Sequence, residues 1–333
     1  MRVRYQVDNA LLAIGIHVTA APHSHSSRTV AGGTHRGRVI DRVNGYSIVA
    51  CEACGFRHVL PLPSPHEQKA AYEEAYYRDE KPTYVERARE DAAWSRLAWD
   101  DRLSLFEDLL KNDAAHPLSV LDIGCGPGWF LKAAADRGWR AQGVEPSKQA
   151  AEHARSLGLS VTNAMFDEAA AHAIERADVV HLNNMLEHVA DPAGLLRLAI
   201  QRAWPGGLVC VGVPNDYNAL QVAVRASGAE AWWLAPPHHL NYFDFASLEA
   251  LLKRLGLEPV ETLTSFPMEL FLLMGDNYVG DDAVGRACHT RRKQFDLALE
   301  NAGLGQVRRK LYGALAKAGI GREAIIVART PKA

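Results

Sequence analysis

The run Val120-Leu121-Asp122-Ile123-Gly124-Cys125-Gly126-Pro127-Gly128-Trp129-Phe130 constrains this chain more than any other stretch. An apolar run ends on an acid, alternate glycines follow, and a helix-like stretch begins at once. Glycine tolerates backbone angles that side chains forbid. The pattern therefore predicts a strand, a sharp turn and a helix, with bare backbone brought up to a ligand. Glu145 ends the next apolar run about twenty residues on, where a carboxylate can accept bonds from ribose hydroxyls. The ligand is thus expected to contain a nucleoside.

The same alternation continues downstream. Strands are predicted at 118–122, 140–145, 160–162, 178–182 and 208–213, with helices at 129–137, 147–157 and 191–203 between them. Ser147 is placed to cap one helix, and Asp191 followed by Pro192 opens another. Pro205-Gly206-Gly207 reads as a turn into the fifth strand, and Asp244 as the cap of one more helix. A sixth strand follows at 257–263 and a last one at 324–328, with a long, mostly helical segment between them. Strands alternating with helices mean an α/β, doubly wound Rossmann-like sheet with right-handed crossovers.

Trp129 separates two kinds of nucleoside cofactor. A dinucleotide turn needs a small residue at that position, so that helix and strand close over the pyrophosphate. A tryptophan obstructs that approach. S-adenosylmethionine has no phosphate and makes no such demand, so the spacing favours a methyl donor over NAD.

These motifs resemble the class I S-adenosylmethionine-dependent methyltransferase family. The likeness rests on Leu121 to Gly128, on Val144-Glu145-Pro146, on Asn184-Met185-Leu186-Glu187-His188-Val189-Ala190-Asp191-Pro192, and on Pro205-Gly206-Gly207. It implies about seven strands with the last antiparallel. It also implies that Asp122, Gly124, Cys125, Gly126, Gly128 and Trp129 surround the methionine part of the cofactor, and that Glu145 and Pro146 hold the ribose. Asn184 and Leu186 would lie along the cofactor, and Asn163 to Phe166 would border the adenine.

Methyl transfer from a sulfonium needs an aligned acceptor and, where the acceptor loses a proton, a base. His188 lies just past the fourth strand, and His238-His239-Leu240-Asn241-Tyr242-Phe243 follows the fifth. The second segment resembles the His-Leu-x-Tyr-Phe stretch of bacterial sugar C-methyltransferases, which implies His239 as base and Tyr242 as proton relay or positioning group. Structural roles compete with these: His188 as a helix-start residue, His239 as a cap. A non-catalytic module binding S-adenosylmethionine or zinc is the alternative from another class, and an NAD-dependent reductase is a third.

Around Asn44-Gly45, a hairpin turn, residues 38–60 read as short strands, followed by Cys51-Glu-Ala-Cys54-Gly55. The pair resembles half of the zinc module of those sugar enzymes, which carries two Cys-x-x-Cys pairs where this chain has one. His23, His25, His35, His58 and His66 are available to complete a four-ligand site, but no spacing selects among them. Residues 67–116 read as an aromatic helical lid with Tyr72, Tyr76, Tyr77 and Tyr84. The expected plan is a loose tail over 1–36, a β element over 37–66, the lid, a core over 117–264, a helical insertion over 265–322 and a final strand within 323–333. The insertion could shape an acceptor pocket or a homodimer interface.

Composition narrows the partners. A formal charge of -2, with 23% charged residues, offers no electrostatic design for nucleic acid or an anionic membrane. No run approaches the ~20 apolar residues of a membrane span. Residues 10–22 loosely imitate a signal peptide, but their apolar part is weak and Asp8 and Asn9 precede it. Five cysteines, an odd number, fit a reducing compartment, so a cytoplasmic enzyme acting on a small molecule is expected.

Overall fold

The computed structural model describes residues 25–30, 33–63, 84–110 and 117–332. Its first strands, β1 (His25–Val30), β2 (Gly33–Val43), β3 (Tyr46–Cys51) and β4 (Arg57–Leu60), form an antiparallel meander. Asn44 and Gly45 make the β2–β3 turn with φ of 49° and 80°. Both angles are left-handed, as a two-residue hairpin turn requires, and asparagine and glycine are the residues that accept them. The expected loose tail ends early, because His25–Val30 pairs with Gly33–Arg38. Residues 1–24 lie outside the described residues, as do Tyr72, Tyr76 and Tyr77 of the expected lid.

One long helix, α1 (Tyr84–Leu110), occupies the described part of the lid region. Its Leu103, Phe106 and Leu110 are buried against the α/β core. At about 1.5–3 kcal/mol for each large apolar side chain, that burial fixes the helix on the sheet. In this way the segment read as a cap becomes part of the main hydrophobic layer.

The core alternates strand and helix: β5 (Ser119–Ile123), α2 (Trp129–Asp136), β6 (Arg140–Val144), α3 (Lys148–Ser156), β7 (Ser160–Thr162), α4 (Glu168–Ala173), β8 (Ala177–Asn183), α5 (Pro192–Ile200) and β9 (Ala203–Pro214). Of these, α4 is a helix that the sequence reading did not place. Next come α6 (Ala219–Ala226), β10 (Asn241–Tyr242), α7 (Phe245–Arg254), β11 (Glu258–Leu263), α8 (Glu269–Leu273), α9 (Asp282–Asn301), α10 (Gly305–Lys317) and β12 (Glu323–Arg329). The seven-stranded sheet runs β11-β12-β9-β8-β5-β6-β7. Strands β5 to β9 pair in parallel, whereas β12 is antiparallel to both β9 and β11. Apolar side chains from α4, α5 and α7 cover one face and those from α1, α2 and α3 the other. The strand order reverses between β5 and β8, so the crevice at their carboxyl ends is where a ligand belongs.

Pro205-Gly206-Gly207, expected as a turn, lies inside β9. The ladder shifts register between Ala177 and Val179, and Gly206 takes φ 78°. An irregularity of that kind lets one strand continue through residues that would otherwise end it.

Strand β10 ties the two sheets together. Its Asn241 and Tyr242 pair with His58 and Arg57 of β4. Just beyond, Asp244 caps α7 by accepting from the Ser247 amide at 2.8 Å, while the Ser247 hydroxyl accepts from the Asp244 amide at 3.0 Å. Arg57 donates to the same Asp244 carboxylate at 2.8 Å. Burial works against this charge, but the Arg57 and Ser247 partners hold the Asp244 carboxyl below its usual range. Asp244→Ala removes the cap and its ion pair with β4 together. Chemical denaturation should show a loss of about 1–2 kcal/mol, the range for a lost N-cap.

Candidate active site

The glycine turn is held by hydrogen bonds from the neighbouring strand. Gly124 and Cys125 both donate their amides to the Val144 carbonyl, at 2.8 and 3.2 Å. Glu145, one residue past β6, accepts from the Gly126 amide at 2.9 Å through Oε2 and from the Ser147 amide at 2.8 Å through Oε1. Each oxygen keeps a lone pair for a further donor. Gly128 sits at φ 85°, and a Cβ there would lie 2.7 Å from the Ala154 Cβ and 2.8 Å from Leu159. Gly143 meets the turn from below, where a Cβ would reach the Cys125 sulfur at 2.6 Å. The cradle therefore admits no side chain at either position.

A cavity of about 1020 Å³ opens at the turn. Asp122, Gly124, Cys125, Gly126, Pro127, Trp129, Glu145 and Pro146 line one end, and Asn183, Asn184, Met185 and His188 continue it along the end of β8. Ligand pockets commonly enclose ~300–1,000 Å³, so there is room for a nucleoside cofactor and an acceptor together. The donor set suits such a cofactor. A buried carboxylate faces the cavity with spare acceptor capacity, and the Trp129 indole N–H is buried with no hydrogen-bond partner among the described residues.

Behind the turn lies a buried polar chain that sequence reading missed. Arg102 of α1 donates through Nη1 to His181 Nε2 at 2.6 Å and to Asn183 Oδ1 at 3.2 Å. Because Nε2 accepts, the His181 proton sits on Nδ1, which donates to Asp122 Oδ1 at 2.7 Å. Burial, reinforced by the Arg102 charge, lowers the His181 pKa, while Asp122 opposes the shift. Phe130 stacks on the ring at 4.0 Å between centroids. A histidine in the apolar run Asp178-Val-Val-His181-Leu182 was the one available signal. Nothing in the amphipathic helix around Arg102 marks that residue out.

The candidate bases come together. His188 lies in a 3₁₀ turn (Leu186–His188), and its Nδ1 donates to the His238 carbonyl at 2.8 Å. Its ring packs edge-on against His239, with centroids 4.9 Å apart, and Glu187 Oε1 stands 3.6 Å from its Nε2. His188 lines the cavity; His239 and Tyr242 do not. Tyr242 is fully buried beside Ile48, Val59 and Trp233, and its hydroxyl donates to the His239 carbonyl at 3.1 Å. Burial raises its pKa far above the usual phenol range. The Tyr242 hydroxyl is thus engaged at the His239 backbone, outside the cavity lining.

Two further expected cofactor contacts also fall elsewhere. The Leu186 side chain is fully buried in the core cluster, because the 3₁₀ turn rotates it inward, and its carbonyl accepts from Asn241 Nδ2 at 2.8 Å. Asn163 donates to the Glu145 and Pro146 carbonyls, so it braces the strand end. Cys51 and Cys54 stand in the small sheet, where the structure brings them against His35 and His58. Burial and the neighbouring Cys51 push the Cys54 thiol up to about 12, and burial lowers His58 to about 4. His23 and His66 lie outside the described residues.

Burial is also the main influence on Glu145. It lifts that carboxyl from 4.5 to about 7, against the pull of the Ser147 and Gly126 amides. A raised carboxyl pKa favours the neutral form in the fold. Its contribution is complete below the unfolded pKa of 4.5 and is lost as pH rises through about 7. Denaturation across that window should therefore show wild type losing roughly 3 kcal/mol relative to Glu145→Gln, which has no such titration.

Three comparisons bear on this geometry. A family model described as a methyltransferase domain matches residues 86–262, more than half of the chain. The ubiquinone biosynthesis O-methyltransferase of Caulobacter vibrioides is 33% identical over 150 residues, covering 43% of this chain and 59% of that protein. The enzyme of that name from Thiobacillus denitrificans is 35% identical over 198 residues, covering 52% of this chain and 84% of its own. The chain thus spans about three-fifths of the first relatives it matches. Among solved structures, the plantazolicin methyltransferase BamL, with a triazolic desmethylPZN analogue and SAH, gives a TM-score of 0.50 at 15% identity. It covers 80% of this chain and 97% of that one, a likeness of fold alone. Since the matched span begins in α1 and ends in β11, enclosing the turn, the buried acid and the cavity between β5 and β8, the chain belongs to the methyltransferase domain family, in the S-adenosylmethionine-dependent class.

Proposed function

We propose that the protein transfers a methyl group from S-adenosylmethionine to a small, anionic acceptor at an atom that gives up a proton. One observation carries the reading: a single cavity joins the glycine turn and Glu145 to His188 and to a basic wall from the helical insertion. The cofactor supplies an activated methyl on a sulfonium. Gly124 and Gly126 would surround its methionine part and Glu145 would hold its ribose, with Asp122 kept in place by the chain from Arg102 through His181. Trp129 and Pro146 would flank it.

His188 is the base in this reading. Its Nδ1–H is held by the His238 carbonyl, so Nε2 carries the lone pair that takes the acceptor's proton. The adjacent Glu187 carboxylate stabilises the imidazolium that results. His239 supports the His188 ring edge-on, and Tyr242 positions the His239 backbone. The names of the ubiquinone relatives favour an oxygen acceptor, and the His-Leu-x-Tyr-Phe resemblance a sugar; an acidic sugar derivative or a phenol meets the same need for proton removal.

The far wall supports an anion. Arg292 and Arg322 both line the cavity. Burial, then the charge of Arg322, lowers Arg292 to about 10, against the opposing pull of Glu323, Asp91 and Asp296. Asp91 is held by Lys293 and His289 and Asp101 by Arg308 and Arg309, while Asp296 accepts from Trp94 and Tyr312 and Glu323 from Ser265 and Asn184. A phosphate or carboxylate on the acceptor would pair with the exposed Arg322 guanidinium on this wall.

Calorimetry with S-adenosylmethionine, S-adenosylhomocysteine and NADH comes first; preference for NADH would replace this reading with a reductase. Labelled-methyl assays across phosphorylated and carboxylated alcohols and phenols then separate an enzyme from a non-catalytic module that binds the donor without turnover. With an acceptor in hand, His188→Ala should lower kcat by about 10²–10⁴-fold while the donor Kd stays within about twofold. Arg322→Glu should raise the acceptor KM by about tenfold or more, again sparing the donor.

A further inference from the structure

We infer that His35, Cys51, Cys54 and His58 bind one zinc ion that locks the small sheet. The four side chains come from β2, the end of β3, the turn after it and β4. One ligand atom from each lies within 4.8 Å of all the others. The His35 Nδ1 stands 3.7 Å from the Cys51 sulfur, 3.1 Å from the Cys54 sulfur and 3.2 Å from His58 Nε2. Zinc bonds of ~2.3 Å to sulfur and ~2.0–2.1 Å to nitrogen, arranged tetrahedrally, place donor atoms roughly 3.4–3.8 Å apart. The Cys51 separation falls in that range and the Cys54 and His58 ones lie just below it, so small side-chain shifts would seat all four on a single ion.

Local chemistry favours a cation over the bare cluster. Cys51-Glu-Ala-Cys54-Gly55 forms a tight knuckle: the Cys54 amide points at the Cys51 sulfur at 3.5 Å, and Gly55, at φ 72°, donates to the Cys51 carbonyl at 2.9 Å. An amide directed at sulfur stabilises thiolate. The His58 side chain is buried, and its Nδ1 donates to the Val59 carbonyl at 2.9 Å. That bond fixes the tautomer whose Nε2 lone pair faces the cluster, the arrangement that ligating histidines adopt. Two sulfurs and two imidazoles in tetrahedral reach select zinc among the common ions. Binding would release the two thiol protons to solvent and convert both cysteines to thiolates.

The ion would act at a distance from the cavity. His58 pairs with Asn241 in the β4–β10 ladder, and the Val59 amide donates to the Leu240 carbonyl at 2.8 Å. Locking β4 therefore locks the segment that presents His239 and Tyr242. The site does not depend on the proposed reaction, and it stands or falls separately from it.

The test is metal content. Reduced full-length protein, incubated with zinc and desalted, should retain one zinc per chain by elemental analysis. With cobalt in its place, the spectrum should show thiolate-to-metal charge transfer and tetrahedral d–d bands. Cys54→Ser and His58→Ala should each lower retained zinc at least fivefold, whereas Cys288→Ser, at a cysteine remote from the cluster, should leave it unchanged. Should the ligand variants fail to fold, alkylation of the unmutated chain decides instead: zinc should slow modification of Cys51 and Cys54 at least tenfold, and chelator should reverse it. No retained zinc or cobalt, equal alkylation rates with and without zinc, or a Cys51–Cys54 disulfide that persists in its presence would overturn the assignment.

Discussion

A single buried carboxylate organises the ligand-bearing edge of this protein. Glu145 stands where β6 ends and accepts from the Gly126 amide on one side and the Ser147 amide on the other. The first bond closes the turn after β5; the second starts α3. Two consecutive strand–helix connections are thereby referred to one side chain. Burial raises its pKa, and donors that hydrogen-bond to its oxygens favour the ionised form, so a ligand's hydroxyls would draw the group that shapes the turn toward the carboxylate. Fold and ligand recognition thus draw on one group, while side chains are kept out by Ala154 and Leu159 beside Gly128 and by Cys125 and Leu131 beside Gly143.

The second organising element is the chain Arg102–His181–Asp122. It crosses from the long helix α1 into the centre of the sheet, linking an added helix to the strand that feeds the glycine turn. A buried guanidinium beside a neutral imidazole and a carboxylate is costly unless every partner is in place. These bonds seat α1 on the sheet beside β5 and β8, and Trp94, Trp99 and Arg102 of the same helix line the cavity. The small sheet is joined to the core in a comparable way, through Arg57 and Asp244 and through β10.

Much of this was legible before any coordinates. Alternating apolar runs with Ser147, Asp191 and Asp244 at helix starts gave strands and caps that agree with the structure to within a residue or two, apart from the start of β9 and the end of α5, because each rests on short-range chemistry. Asn44-Gly45 specified its hairpin for the same reason. Pro205-Gly206-Gly207 misled, since a wide irregularity inside a strand and a turn before it use the same residues. Leu186 misled as well: motif position placed it along the cofactor, but a 3₁₀ turn directs its side chain into the core. Arg102, Arg292 and Arg322 carried no sequence signal, being ordinary charged residues on or beside helices far apart in the chain.

Sequence by itself determined the sheet, the glycine cradle and the acid opposite it, because backbone permissiveness and hydrophobic period act over a few residues. Only the tertiary structure decided which histidines complete the Cys51–Cys54 cluster, which of His188 and His239 reaches the cavity, and what lines its far wall. Those choices depend on contacts between segments separated by tens to hundreds of residues, such as His58 with Asn241 or Trp94 with Asp296. Such pairings are set by the packing of whole elements, and no local pattern encodes them.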